Sequence, residues 1–552
     1  MVKGKLLKCI QQAVTDTQQE GSLPSAVLPD INIERPKDPR HGDYATGLPL
    51  KLARISGISP LEIAKRIINH LALPEEIDNA VAAPPGFINF TLSDKWLRQQ
   101  VSVILNADKS YGDINLGSNT YIQFEFVSVN PTGPLHIGHG RGAVLGSTLA
   151  NIFTSAGYKV EREYYLNDTG NQINIFGTSL YARYQQCLGK EADMPINGYF
   201  GNYMTDLAKK IISEHGEKFL HLSQQEAITQ LTKIGMEKIV QGIKQDLQLL
   251  KVDFDVWYSE KDLYHNGQYQ QAMEKLQQGG YITKRENATW FESSALGEDK
   301  DNVLVRSDGS PTYFASDVAY HHSKFLQRKF DRVIDIWGAD HQGHVPRMKA
   351  VLKALSIDPE RLSVILCQLV TLRRGKEVIK VSKRSGDVIT LREVVDEVGT
   401  DACRFFFLSR SADSQMDFDL ELAKKQSVDN PVYYIQYAHA RIASILRLAN
   451  EKHIAYDEGD LSLLSTEPEL SLIRCLTLLS ETIENVVDTL QPQLLTYYSQ
   501  ELATLFHSFY KQCRVVSQDE ALTKARLKLV RASQITLAKT LRLMGIASPE
   551  TM

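Results

Sequence analysis

Two histidines, three residues apart, are placed to handle a phosphate. They sit in the run Asn130-Pro131-Thr132-Gly133-Pro134-Leu135-His136-Ile137-Gly138-His139. Residues 121–129 just before it are apolar and rich in β-formers, as in a buried parallel strand. Asn-Pro-Thr-Gly-Pro then breaks the chain. From Leu135 the apolar residues recur about every 3.6 positions, through Ile137, Val144, Leu145, Leu149, Ile152 and Phe153. His136 and His139 therefore open a helix and share one of its faces. Free backbone amides at a helix start attract phosphate. Two imidazoles there can donate hydrogen bonds to an α-phosphate as negative charge shifts during displacement of pyrophosphate. Gly138 removes a side chain where a flat adenine ring must approach the backbone.

A second element, Lys380-Val381-Ser382-Lys383-Arg384-Ser385-Gly386, is polar and ends in Ser-Gly, so it reads as a loop. It lies between the apolar run 363–372 and the patterned segment 388–391. Two lysines flanking one serine form a cationic clamp. Lysine is a point charge on a flexible stem, suited to following a migrating pyrophosphate. Alone, the segment reads better as a solvated basic turn. Downstream of the histidine pair, in one long chain, it becomes the partner element of ATP-dependent chemistry.

These groups need a scaffold. At 552 residues, with 43% hydrophobic and 23% charged residues, the chain has material for three or four domains with sizeable cores. Residues 1–110 mix an opening helix with the strand-like segment 86–92. Residues 111–425 alternate strand and helix signals, which implies a doubly wound parallel sheet. That block is interrupted at about 175–300, where the pattern is polar and helical. Residues 426–552 read as helical throughout. The six cysteines are scattered without a C-x-x-C pair, so no zinc site, disulfide framework or other bound metal is expected. No segment reads as a signal peptide or membrane span, which makes the cytoplasm the expected location.

The net charge of −4 argues against binding nucleic acid through bulk charge. Charge is nevertheless uneven. Residues 451–501 carry ten acidic and two basic side chains, whereas residues 511–542 carry eight basic and two acidic ones. Lys511, Arg514, Lys524, Arg526 and Lys528 are thus candidates for a basic face that meets a phosphate backbone.

Several further stretches carry a resemblance. Phe124-Glu125 through the histidine run, then Arg162-Glu-Tyr-Tyr-Leu-Asn-Asp-Thr-Gly-Asn-Gln172, resemble the arginyl-tRNA synthetases of the bacterial type. So do His41-Gly-Asp-Tyr-Ala-Thr46, Trp337-Gly-Ala-Asp340-His341-Gln342-Gly-His344, Asp429-Asn-Pro-Val-Tyr-Tyr434 and the closing Leu543-Met-Gly-Ile-Ala-Ser-Pro-Glu-Thr-Met552. The resemblance runs essentially end to end. It implies a class I synthetase with a Rossmann-type α/β core, an α+β N-terminal module at the tRNA elbow and an all-α C-terminal bundle reading the anticodon. It implies Mg·ATP, L-arginine and tRNA(Arg) as partners, no membrane, and a monomer.

By the same resemblance, His136, Gly138, His139, Lys380, Ser382 and Lys383 handle ATP. Glu125 and Asn130 hold the α-amino group and the side-chain end of the pocket, and Tyr313 and Asp317 grip the guanidinium. The last pair also makes sense chemically. Ser310-Pro311 reads as a helix start, which puts Tyr313 and Asp317 at i and i+4 on one face. A carboxylate can meet the guanidinium fork with two parallel bonds, and lysine cannot fit the same geometry. Asp340, His341, Gln342 and His344 follow a strand-like run and fall on a ligand-facing loop. Two other classes remain open at this stage: another nucleotidyltransferase with the same histidine helix, and a non-catalytic tRNA-binding paralogue.

Overall fold

A computed structural model describes every residue except Met1, Ala26 and 380–388. The first block holds a three-stranded antiparallel sheet in the order Tyr44–Thr46, Phe87–Leu92, Ile77–Ala83. Alternation decides which face is covered: Ile88, Phe90 and Leu92 are buried, while the residues between them are only partly so.

Five parallel strands form the central sheet. Their spatial order is Leu362–Cys367, Arg332–Gly338, Tyr121–Glu125, Lys159–Leu166, Val256–Ser259. The chain order reverses between Tyr121–Glu125 and Arg332–Gly338. A crevice opens at such a switch point, beyond the carboxyl ends of the strands. The first strand is shorter than the apolar run implied, because regular pairing stops at Glu125. The helix Ile137–Ser155 crosses back over the sheet in close contact. A Cβ on Gly146 would lie 2.2 Å from the Phe126 ring, so only glycine allows this approach.

The interruption at 175–300 is not wholly helical. Asn202–His215 and Gln224–Leu249 are helices, as the pattern implied. Val256–Ser259, however, is an edge strand of the central sheet, and Ile282–Arg285, Ala288–Phe291 and Asn302–Val305 form an antiparallel sheet. These strands run to only four residues each and carry polar side chains, so they leave little periodic signal.

The C-terminal block is all-helical, from Pro431–Glu451 to Glu520–Leu543. Its last helix is central rather than peripheral. It packs on Pro431–Glu451, on Asp94–Ala107 of the first block and on the histidine helix. This corrects the expected basic face. Arg526 is buried against Glu469 at 2.7 Å, and Lys539 is buried against Asp113. Lys528 donates to the carbonyls of Asp457 and Gly459. Charge counting along the chain registered these cations but not their internal partners. Among the described residues, no helix is long and apolar enough to cross a membrane, and no group of three His, Cys, Asp or Glu side chains could hold a metal ion.

Candidate active site

At the switch point lies a cavity of about 1130 Å³. His136 and His139 line one part of it, Glu260, Tyr313 and Asp317 another, with Asn130 between the sequence motifs.

The histidine helix starts in an unusual way. His136 is its N-cap, and its Nδ1 accepts from the Gly138 amide at 3.2 Å. His139 reaches back, and its Nδ1 accepts from the His136 amide at 3.2 Å. This is a capping box built from imidazoles instead of Ser and Glu. An accepting Nδ1 carries no proton, so both rings hold their proton on Nε2. Burial and the adjoining His136 push His139 down to about 3, which keeps it neutral. The rings stack with centroids 3.5 Å apart. The expectation of amides left for phosphate is therefore corrected at His136 and Gly138, whose N–H groups are engaged by the rings. Gly138 has a local reason as well: a Cβ there would press on His136 Cε1 at 3.1 Å.

The approach to this helix is strained. Val127 and Ser128 have φ of 71° and 41°, conformations that a β-branched residue avoids. Neighbours hold them: the Tyr165 amide donates to Ser128 Oγ at 3.1 Å and Tyr164 OH to the Val129 carbonyl at 3.0 Å. The result turns Asn130 into the cavity, where its amide bonds Gln172. Thr132, Gly133 and Pro134 also line the cavity, whereas Pro131, Leu135 and Ile137 pack beneath it and are buried.

The carboxylate end is built on the helix Tyr313–His322. It begins two residues later than Ser310-Pro311 suggested, with Thr312 as the cap accepting from the Ala315 amide. Tyr313 and Asp317 still share a face. His344 Nε2 meets Asp317 Oδ2 at 2.9 Å. Asp340 and His341 line the cavity from the short helical turn after Arg332–Gly338, while Gln342 is exposed outside it.

Glu125 is placed differently from the expectation. Its carboxylate is buried below the cavity and meets Lys324 at 2.6 Å, and Lys324 also bonds Asp335 at 2.9 Å. Burial raises the Glu125 carboxyl even so. Parallel pairing sets Glu163, Glu125 and Asp335 side by side across three strands; Lys324 answers Glu125 and Asp335, and Arg328 answers Glu163. Glu260 is the residue that the sequence reading missed. It is buried, lines the cavity, and its Oε2 has no hydrogen-bond partner among the described residues. Burial pushes its carboxyl above the ordinary range. The short helix Glu260–His265 that it opens lies in the polar stretch taken for insertion, and nothing local marked it.

Lys380, Ser382 and Lys383 lie outside the described residues. The chain that follows them returns to the site: Thr390 bridges His136, the Leu391 amide donates to the Leu135 carbonyl at 2.8 Å, and Glu393 lines the cavity.

Comparison with known proteins fits this geometry. Residues 100–438, more than half of the chain, match the family model "tRNA synthetases class I (R), catalytic domain". Residues 4–92 match the arginyl tRNA synthetase N terminal domain, and residues 435–552 the DALR anticodon binding domain. An arginine–tRNA ligase of Dehalococcoides mccartyi is 57% identical over 551 residues, covering 100% of this chain and 99% of that protein. The chain belongs to the arginyl-tRNA synthetases. An arginine–tRNA ligase of Carboxydothermus hydrogenoformans is 48% identical over 95% of this chain and 94% of its own. The arginyl-tRNA synthetase structure from Thermus thermophilus shares the fold, with a TM-score of 0.78 at 23% identity and full coverage of both chains.

For an arginyl-tRNA synthetase, the C-terminal surface is informative. Lys511 and Arg514 are exposed and Lys524 partly so, but they are not joined by Arg526 and Lys528 into one open basic face. A different patch stands out. Tyr433 and Tyr437 stack at 6.2 Å, and Arg441 lies over the rings of both Tyr437 and Tyr510.

Proposed function

We propose that this chain activates L-arginine with Mg·ATP and transfers it to tRNA(Arg). The observation that carries the reading is one cavity with neutral Nε2–H imidazoles at one part and two carboxylates, Asp317 and Glu260, at another. The arginine carboxylate attacks the α-phosphate, arginyl-adenylate forms and pyrophosphate leaves. The terminal adenosine hydroxyl of tRNA then attacks the activated carbonyl, and AMP departs. No side-chain nucleophile is needed. Catalysis is positioning plus stabilisation of developing charge.

His136 and His139 donate to the phosphate oxygens. Asp317, steadied by His344, and Glu260 hold the guanidinium, with Tyr313 as a wall. Asn130 and Gln172 supply polar contacts toward the α-amino end. Lys380, Ser382 and Lys383 follow the pyrophosphate. Mg²⁺ enters as part of the nucleotide substrate. Exposed Tyr437 and Tyr510, with Arg441, offer a surface on which unpaired anticodon bases stack. The chain works as a monomer in the cytoplasm, where tRNA is charged.

The test is aminoacylation of total tRNA with each labelled amino acid in turn. Only arginine is expected to be incorporated, with release of AMP and pyrophosphate. Incorporation of another amino acid, or none, overturns the reading.

A further inference from the structure

Among the described residues, the two largest wholly buried side chains are both arginines, Arg141 and Arg404. A guanidinium is expensive to desolvate, and a carboxylate partner is the usual compensation. Here all the acceptors are neutral oxygens. Arg141 Nη1 donates to the carbonyls of Gln368 at 3.0 Å and Ser414 at 2.8 Å, and Nη2 to that of Ser411 at 2.7 Å. Arg404 Nε donates to the Met544 carbonyl and Nη1 to the Leu250 carbonyl, both at 2.6 Å. Its Nη2 reaches Ser147 Oγ at 3.0 Å and Thr148 Oγ1 at 3.3 Å.

Both arginines converge on one element. Arg141 belongs to the histidine helix, two residues after His139. Ser147 and Thr148 lie on the same helix, two turns further on. Arg141 ties its first turn to the roots of the paired strands Val370–Arg374 and Met416–Asp419. Arg404 ties its middle to the end of the helix Gln224–Leu249 and to the close of the C-terminal bundle. Asn151 adds a bond to the Leu543 carbonyl at 3.2 Å. Gly545, at φ +70°, lies flat on the Arg404 guanidinium, where a Cβ would come within 2.4 Å of Nε.

We infer that Arg141 and Arg404 are positioning residues for the adenylation step, holding the histidine helix so that the His136 and His139 side chains stay on line with the α-phosphate. This rests on the role proposed above for the histidines. The helix is stiff, and Thr148 is about 13 Å along its axis from His139. A small tilt pivoting there moves the imidazoles. A misplacement of ~1 Å from a remote change can cost ~10²-fold in rate. Arginine suits the task because a planar fork reaches several fixed oxygens at once, which an ammonium does not. Burial depresses both guanidinium groups, Arg404 to about 10, yet each remains charged at neutral pH.

The experiment uses the full chain with tRNA, ATP and arginine. Arg404→Lys and Arg141→Lys are assayed well below their own unfolding temperatures. Each is expected to lower kcat by ~10- to 100-fold, with KM for ATP and for arginine within about twofold of the parent. A merely structural arginine would lower Tm and leave kcat at the parental value. That result, in a folded variant, overturns the inference. Should the arginine variants fail to fold, Ser147→Ala with Thr148→Val loosens the Arg404 contact while leaving the guanidinium in place. It is expected to lower kcat several-fold with the same KM pattern, and parental kcat there also overturns the inference. His136→Ala and His139→Ala are run alongside. If these keep parental kcat, the histidine role itself fails. If they lose it and the other variants do not, only the positioning role fails.

Discussion

Asp317 and His344 meet across the wall of the cavity, with His344 Nε2 at 2.9 Å from Asp317 Oδ2. One carboxylate oxygen is therefore fixed by a side chain from the turn after the strand Arg332–Gly338, and the carboxylate plane is set before any substrate arrives. Asp317→Asn keeps the shape but removes the charge and turns one acceptor into a donor. In the arginine complex, where the guanidinium encloses this carboxylate, losing the charged partner is expected to cost ~3–5 kcal/mol. The loss is expected in kcat/KM for arginine, with KM for ATP little changed. Discrimination against citrulline, which is neutral and nearly isosteric, should fall in parallel. Steady-state kinetics with both amino acids checks this, and parental arginine kinetics would place the pocket elsewhere.

The imidazole capping box separates two jobs of one residue. His136→Ala and His139→Ala each remove a phosphate donor and a cap. Loss of such a donor is expected to lower kcat by ~10²- to 10³-fold. Loss of the cap is expected to lower stability by ~1 kcal/mol. Pyrophosphate exchange and thermal unfolding measure the two effects separately. Turnover near the parental value would remove these histidines from catalysis.

Glu260 gives a pH signature. Burial raises its carboxyl, so the substrate-free protein keeps it protonated to a higher pH than an ordinary glutamate. An arriving guanidinium favours the ionised form and expels the proton. Arginine affinity should therefore rise with pH through the raised value and then level off. Stability of the substrate-free protein has the opposite sign: the contribution of Glu260 is full below the ordinary carboxylate range and is lost as pH rises through the raised value. Calorimetry in buffers of different ionisation enthalpy should detect proton release on arginine binding. Glu260→Gln should abolish that release, and an unchanged proton count would acquit Glu260.

The tRNA surface is testable by salt. Lys528 is occupied by the Asp457 and Gly459 carbonyls, and Arg526 by Glu469. A Lys524→Ala, Lys528→Ala double variant should leave the salt dependence of tRNA affinity nearly unchanged. A slope reduced by about two would restore the basic-face reading. Tyr437→Ala should instead weaken tRNA binding by ~1–3 kcal/mol at every salt concentration.

The residues that sequence could reach were those with local patterns. The His136–His139 pair announced itself because a strand, a breaker and a helix follow one another within about thirty residues, whereas Tyr313 and Asp317 came from the family resemblance, with which their helical spacing agreed. Glu260 escaped because its role depends on burial and on being carried beside Asp317 by the edge strand Val256–Ser259. Glu125 was misplaced for a related reason. Its partner Lys324 is 199 residues away, and only sheet register shows that the adjoining Glu125 and Asp335 carboxylates share that cation. The basic C-terminal stretch misled because a count of charges carries no information about which helix is enclosed.

The switch point has a consequence for how the molecule is made. Tyr121–Glu125 pairs directly with Arg332–Gly338, and the Tyr121 amide donates to Asp331 across 210 residues of chain. Closing so long a loop costs entropy before the contact returns any stability. The search is shortened if the intervening helices and small sheet collapse first and bring the two strands near each other. Until they meet, the apolar flanks of Ile122, Phe124, Val333 and Ile334 are unprotected, and this is the interval in which one chain's half-sheet can pair with another's. Refolding yield should therefore fall with protein concentration, and the late, slow phase should be the one in which the two strands join and the cavity between them first exists.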